Sequence, residues 1–145
     1  MGFTLTIKGK DTIHFSENMI TSAHVQLSTP VNSKAKSTDN AVTMWVTGKL
    51  LSTEIGSSNS DTLKLFDWSL VPAQNADAYR NVIVKVISAS QTFREIHLPN
   101  AFVVDYSERY ADNAGIGEFA VILRQRADQI PLVKATSGDA NDFEE

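Results

Sequence analysis

The chain has 145 residues, of which 42% are hydrophobic and 21% are charged, as in a single globular domain. It has no cysteine, which excludes disulfides, thiolate metal sites and a cysteine nucleophile. Residues 1–134 carry 13 acids and 13 bases, and residues 135–145 carry four acids and no base. A neutral body with an acidic tail is a poor nucleic-acid binder, so no sequence recognition of nucleic acid is expected.

Alternation of apolar and polar residues predicts β-strands at residues 3–7, 12–15, 21–29, 42–51, 82–87, 92–98, 101–106 and 117–126. Pro30 ends the third strand, and Pro99-Asn100 separates the sixth from the seventh, because proline cannot donate to a ladder. Gly48 is expected to mark a bulge or bend. The pattern predicts seven or eight strands.

One helix is predicted at residues 61–70, with Ser60 as its N-cap and Pro72 beyond its end. Its apolar residues at helical spacing are Leu63, Leu65, Phe66, Trp68 and Leu70. The expected fold is therefore mainly β, a compact antiparallel barrel with one flanking α-helix over residues 1–127. Residues 128–145 are expected to form a polar, acidic tail.

Three predicted strands are apolar on both faces, at residues 82–87, 101–104 and 119–123. A barrel interior covers one face of each strand, and one helix is too small to cover the other face of all three. A neighbouring subunit is therefore expected to cover the remaining apolar surface.

The histidines do not predict a metal site. His14, His24 and His97 lie in separate predicted strands. His97 shares a strand face with Glu95, which gives two ligands where structural zinc takes four. No motif for a dinucleotide, a nucleoside phosphate or a zinc protease is present. We expect no metal and no cofactor.

The carboxylates and serines do not predict catalysis either. Asp105, Glu108 and Asp112 fall within one segment, but glycosidases need two carboxylates across a cleft. Solvated loop charges are the simpler interpretation. No serine lies in a nucleophile elbow. The protein is therefore expected not to be an enzyme.

Two interpretations of aromatic and polar residues stay open. Trp45 and Tyr110 could serve as stacking platforms of a monomeric small-ligand or carbohydrate-binding β-sandwich, whereas Trp68 is better explained as helix core. Residues 31–40 form either a solvated loop or an arm that orders against a partner. Arg124 is expected to pair with an acid of a neighbouring strand or subunit, and Asp105 is a candidate partner.

Three segments in this order resemble a known family. They are the strand at residues 42–51 followed by the helix, the hairpin of residues 79–98, and the run NAFVVDY at residues 100–106 leading to the strand at 117–126. This resembles haemolysin-coregulated protein (Hcp) of type VI secretion and the tail-tube proteins of contractile injection systems. The likeness is strongest to Gram-positive-type homologues, some labelled "membrane-associated protease 1", although no protease motif is visible here.

The resemblance implies a structural protein whose copies form a homohexameric ring, with rings stacking into the inner tube of a secretion or phage-tail-like apparatus. It implies sheath, baseplate and spike proteins as partners. An inter-ring loop would contain Val31, Asn32, Ser33, Lys34, Lys36 and Asp39, and subunit contacts would use Glu108, Arg109, Asp112 and Arg124.

Location follows from what the sequence lacks. No apolar run approaches the roughly 20 residues of a membrane helix, and the first residues do not read as a secretory signal. We expect synthesis in the cytoplasm without a signal peptide or membrane insertion, followed by assembly into a particle or export by the chain's own apparatus.

Overall fold

The structure, a computed structural model, describes residues 1–29, 40–51, 57–112 and 115–137. Its strands are β1 (Gly2–Lys8), β2 (Thr12–Phe15), β3 (Ile20–Ser28), β4 (Ala41–Leu51), β5 (Arg80–Ser88), β6 (Gln91–Arg109), β7 (Ile116–Gln125) and β8 (Lys134–Thr136). The helices are α1 (Ser57–Ser69) and two 3₁₀-helices, Ala76–Ala78 and Ala127–Leu132.

All eight strands belong to one antiparallel sheet in the order β2-β1-β5-β6-β7-β4-β3, with β8 pairing with β6 outside this path. The sheet curls until β1 contacts β3, and the inward side chains of the alternating strands then meet in one core. The largest of these core side chains are Leu5, Ile7, Ile13, Phe15, Met44, Leu98, Phe119 and Leu123. The mainly β architecture with a flanking helix is confirmed.

The predicted break at Pro99-Asn100 is wrong, because β6 runs without interruption through 19 residues. The irregularity is absorbed inside the strand: two residues of β6 oppose the single Asn81 of β5, and Asn100 adopts a φ of 62°. The Asn100 N–H donates to the Asn81 side chain over 3.2 Å, and the Arg126 N–H donates to the Asn100 carbonyl. Proline is tolerated at such a bulge.

Gly48 lies at an irregularity, as predicted. The register between β3 and β4 shifts directly at its partner Ile20. A Cβ at Gly48 would lie 2.5 Å from the ring of Phe119 and 2.8 Å from the carbonyl of Met19. Glycine therefore lets the backbone of β4 approach the core ring closely.

Helix α1 begins at Ser57, four residues before the predicted start, so Ser60 lies within the helix and is not its N-cap. Among the helix side chains that the structure describes, Thr62, Leu65 and Trp68 are buried. The indole of Trp68 also donates to the carbonyl of Ala78 over 3.2 Å. The assignment of Trp68 to the core is confirmed.

A buried arginine joins four parts of the fold. Arg80, at the start of β5, donates from Nη2 to Asp77 over 2.6 Å and from Nη1 to Asp11 over 3.1 Å. Its guanidinium lies 5.3 Å from the centre of the Trp68 ring. Gly9 makes room for it, since a Cβ there would lie 2.6 Å from the arginine side chain. The cluster ties the β1–β2 turn, α1 and the first 3₁₀-helix to β5.

The chain beyond β7 contains regular structure before the acidic end. The second 3₁₀-helix places Ile130 and Val133 against the core, and β8 then pairs with β6. The division of the chain at residue 127 stays a prediction, and residues 138–145 lie outside the described part. Within the described residues no helix is long and apolar enough to cross a membrane.

Candidate assembly surfaces

The outward face of α1 carries an apolar stripe that continues onto Leu70, directly after the last helical residue. Leu63, Phe66 and Leu70 are 61%, 41% and 69% exposed, although the same residues have the helical spacing of a buried face. Their exposure follows from the geometry of the helix, because the sheet can cover only the side that holds Leu65 and Trp68. The helical spacing of these three residues therefore marks an apolar face that one copy does not bury.

A shallow groove runs between this stripe and β6. It has a volume of about 330 Å³ and is lined by Phe66, Ser69, Leu70, Val103, Val104, Asp105 and Tyr106. A second groove of about 280 Å³ shares Ser69 and Val103 with the first and extends towards Phe102 and Tyr79. Helix α1 and β6 thus form a continuous, partly apolar surface.

Tyrosines connect this surface to the end of β6. The ring of Tyr106 meets Phe66 edge to face, with centroids 5.9 Å apart, and its hydroxyl donates to Glu108 over 2.6 Å. Tyr110 donates to the other oxygen of Glu108. Burial and the bond to Glu108 raise the pKa of Tyr106, and the bond to Glu108 raises the pKa of Tyr110. Both phenols therefore stay protonated donors at neutral pH.

The second faces of the central strands are apolar, as predicted. On β4 and β7, Trp45 lies opposite Ile122, and both are half-buried. The exposed His24 of β3 packs its ring edge to face with Trp45 at 4.9 Å. On the same side, Ile83 of β5 is already buried within one copy. This outer side of the sheet is another surface that a neighbouring chain could cover.

The two predicted contact loops emerge at opposite ends of the sheet. The β3–β4 loop leaves where Ser28 pairs with Ala41, and Thr29 donates to the Asn40 side chain across its base. The β6–β7 loop leaves at the far end of β7, roughly 30 Å away for a ten-residue strand. The predicted loop residues Val31, Asn32, Ser33, Lys34, Lys36 and Asp39 lie outside the described residues.

The structure separates the predicted subunit-contact residues. Glu108, Arg109 and Asp112 lie together at the β6–β7 end, where Arg109 and Asp112 are exposed. Arg124 is exposed at the other end of β7. Their roles as interface residues stay a prediction.

Arg124 does not face Asp105 as expected. An extra residue in β6 between positions 103 and 105 shifts the register, so Arg124 lies opposite Phe102 and Asp105 lies opposite Ile122. In the described part of the chain, no ion pair joins Arg124 to a carboxylate. Its expected partner on the adjacent strand is therefore not found there.

Among the described residues, the geometry does not support a carboxylate pair for catalysis, a metal site or a cleft between two aromatic platforms. Asp105 and Glu108 are three positions apart on β6, and their register partners Ile122 and Phe119 lie on opposite faces of the sheet. In the ranges that the structure describes, no three His, Asp or Glu side chains form a group that could hold a metal ion. Trp45 and Asp105 both lie opposite Ile122 of β7, one on each side. Tyr110 follows Asp105 by five residues, or roughly 17 Å, so Trp45 and Tyr110 do not share one cleft.

Sequence comparison finds neither a protein-family model nor a curated protein that matches the chain. Structural comparison does find matches among solved structures. Hcp1 from Flavobacterium johnsoniae superposes with a TM-score of 0.54 at 19% identity, covering 87% of this chain and 91% of that one. Hcp1 from E. coli EAEC 042 superposes with a TM-score of 0.59 at 11% identity, covering 94% and 99%.

A component of the PVC extracellular contractile injection system, from its sheath/tube terminator in the extended state, gives a TM-score of 0.55 at 12% identity and covers 94% of both chains. The chain has the fold of Hcp and of tail-tube proteins. The family likeness seen in the sequence is thus confirmed at the level of the fold, over nearly the whole chain.

Proposed function

We propose that the protein is a structural tube component of a contractile injection or type VI-like apparatus, in which copies form rings and rings stack into a hollow tube. The observation that carries the proposal is a fold shared with Hcp across nearly the whole chain. The exposed apolar stripe on α1 and the half-buried Trp45 and Ile122 on the outer side of the sheet support it, because a lone copy leaves part of this apolar surface in water. No catalytic role is proposed.

The placement of the loops supports head-to-tail stacking. The β3–β4 loop and the β6–β7 loop lie at opposite ends of the sheet, so one copy can present different surfaces above and below. Such heterologous contacts extend along an axis without limit, as a tube requires. We propose a hexameric ring of domains formed by residues 1–127, with residues 31–39 bridging rings and Arg109, Asp112 and Arg124 at contacts between copies.

The partners proposed for the tube are the proteins of such particles. Solved structures with this fold come from a sheath-tube complex and from a tube-terminating cap. By analogy, the assembled tube would lie inside a sheath and join a baseplate and a spike. It would leave the cytoplasm as part of the particle.

Sedimentation velocity over a hundredfold range of protein concentration tests the proposal. We expect a monomer at low concentration and a discrete species of six copies at high concentration, with larger stacks above it. A monomer at every concentration and ionic strength would contradict self-assembly of the isolated chain. As a matched pair, Arg124→Glu should weaken the large species, and Lys8→Glu, a charge change outside the proposed contacts, should not.

A further inference from the structure

The groove between α1 and β6 combines apolar walls with a carboxylate. Its apolar lining includes Phe66, Leu70 and Val104, which are all exposed in a single copy. Asp105 lies in the same lining and is exposed as well. Among the described residues, no cation forms an ion pair with Asp105. The groove therefore suits an apolar side chain that has a positive charge beside it.

Phe93 and Arg94, in the part of β6 that follows the β5–β6 turn, have this combination. Phe93 is 52% exposed, and the Arg94 guanidinium lies 5.6 Å from the centre of its ring. The arginine is exposed, and in the ranges that the structure describes it pairs with no carboxylate. Of the exposed apolar side chains in these ranges, Phe93 alone has a cation over its ring. The pair thus presents an aromatic ring and a positive charge together to the solvent.

Two other exposed apolar side chains carry the wrong charge for the groove. Tyr110 donates its hydroxyl to Glu108, and Ile116 shares a strand face with Glu118, two residues further along β7. Either would bring an acid towards Asp105, and repulsion between like charges disfavours that contact. Charge complementarity therefore favours the pair of aromatic ring and cation.

The groove and this pair lie far apart on one strand. Arg94 and Asp105 are separated by eleven positions of β6, or roughly 36 Å in an extended strand. The strand continues through its register irregularities, so the arginine does not reach the carboxylate of its own copy. The partner must therefore be a second copy. A contact between two different patches of one chain is heterologous and repeats from copy to copy, as a ring requires.

We propose that Phe93 and Arg94 of one copy dock into the groove between α1 and β6 of a second copy. Phe93 contacts Phe66 and Leu70 there, and Arg94 pairs with Asp105. The contact buries apolar surface that a single copy exposes, and the charge pair orients one copy on the next. The inference rests on the proposed tube function and deepens it, because it names the occupant of the apolar stripe on α1.

A charge-reversal cycle followed by sedimentation velocity tests the contact. Arg94→Asp and Asp105→Arg alone each place like charges together, and each should raise the concentration at half-association roughly tenfold. The chain with both changes restores the pair with reversed signs and should return to within roughly threefold of the unsubstituted chain. Lys8→Asp, a matched reversal at an exposed position outside both patches, should change nothing. Circular dichroism checks that every variant is folded.

A second cycle tests the apolar part of the contact. Phe93→Ser should weaken association of the unsubstituted chain but have little further effect in a Leu70→Ser background, because both changes remove the same contact.

The outcomes separate this contact from the tube function. Association of the unsubstituted chain, with additive losses in both cycles and no rescue by the double reversal, would overturn the contact and leave the tube function standing. A monomer at every concentration would contradict both.

Discussion

The two faces of α1 carry the same kind of side chain and have opposite environments. Leu65 and Trp68 are completely or almost completely buried, whereas Leu63, Phe66 and Leu70 are 61%, 41% and 69% exposed. The inner pair is held by the sheet, by the bond from Trp68 to Ala78 and by the neighbouring Arg80. Folding of one copy thus uses one face of the helix, and the other face contributes apolar surface that only association can bury.

The largest effect is expected from breaking the inner face. Trp68→Ala removes a buried aromatic ring, its hydrogen bond and its contact with Arg80, and should lower the free energy of unfolding by about 3–5 kcal/mol. Urea denaturation followed by circular dichroism measures this change. If Trp68→Ala unfolded with the midpoint of the unsubstituted chain, the inner face would not be the one that holds the helix.

A smaller loss is expected at the arginine cluster. Arg80→Met leaves Asp77 and Asp11 without their buried partner, but both carboxylates can reach water, so the loss should be about 1–3 kcal/mol. Arg80→Lys keeps the charge but not the forked geometry and should fall between the two chains. The same denaturation experiment measures both, and equal stability of all three would exclude a role for the cluster in the fold.

The same cluster predicts a dependence on acid. The hydrogen bond from Arg80 holds the pKa of Asp77 below its ordinary value of 3.8. A carboxyl with a lowered pKa contributes stability that is present above its unfolded value and is lost as pH falls through its folded value. Between pH 5 and about pH 2, Asp77→Asn should therefore show a shallower decline in the free energy of unfolding, and an unchanged slope would contradict the pairing.

The smallest effect on folding is expected from the outer face. Replacing Leu63, Phe66 and Leu70 together by serine changes exposed positions and removes one ring contact, that of Phe66 with Tyr106. The free energy of unfolding should fall by roughly 1–2 kcal/mol in total. Thermal unfolding monitored by circular dichroism checks this. A loss comparable to that of Trp68→Ala would show that both faces stabilise the single copy.

The strands and the helix could be predicted from the sequence because alternation and helical spacing report burial directly. The spacing of Leu63, Phe66 and Leu70 also marked an apolar face, but it could not show which of two apolar stripes meets the sheet. That choice depends on how the whole helix sits on β6 and β2. In the same way, one extra residue in β6 moved Asp105 away from Arg124, and no local pattern announces such a bulge.

The sequence could predict that copies contact one another, but not which residues make the contacts. Strands apolar on both faces indicated that more surface needed cover, and the family likeness gave the assembly that could cover it. The individual residues depend on a second copy, so neither local spacing nor the fold of one chain specifies them. The Arg80 cluster was missed because Asp11 meets Arg80 only after the β1–β2 turn has packed beside the start of β5, and no pattern singled out the local pair of Asp77 and Arg80.

Negative-stain electron microscopy of the unsubstituted chain beside the Leu63→Ser, Phe66→Ser, Leu70→Ser variant tests the central comparison most directly. Both proteins should be folded at the concentration used. The account predicts rings or stacked tubes for the unsubstituted chain and their loss or sharp reduction in the variant. Rings and tubes of equal number and length in both samples would contradict the assignment of the outer face of α1 to assembly.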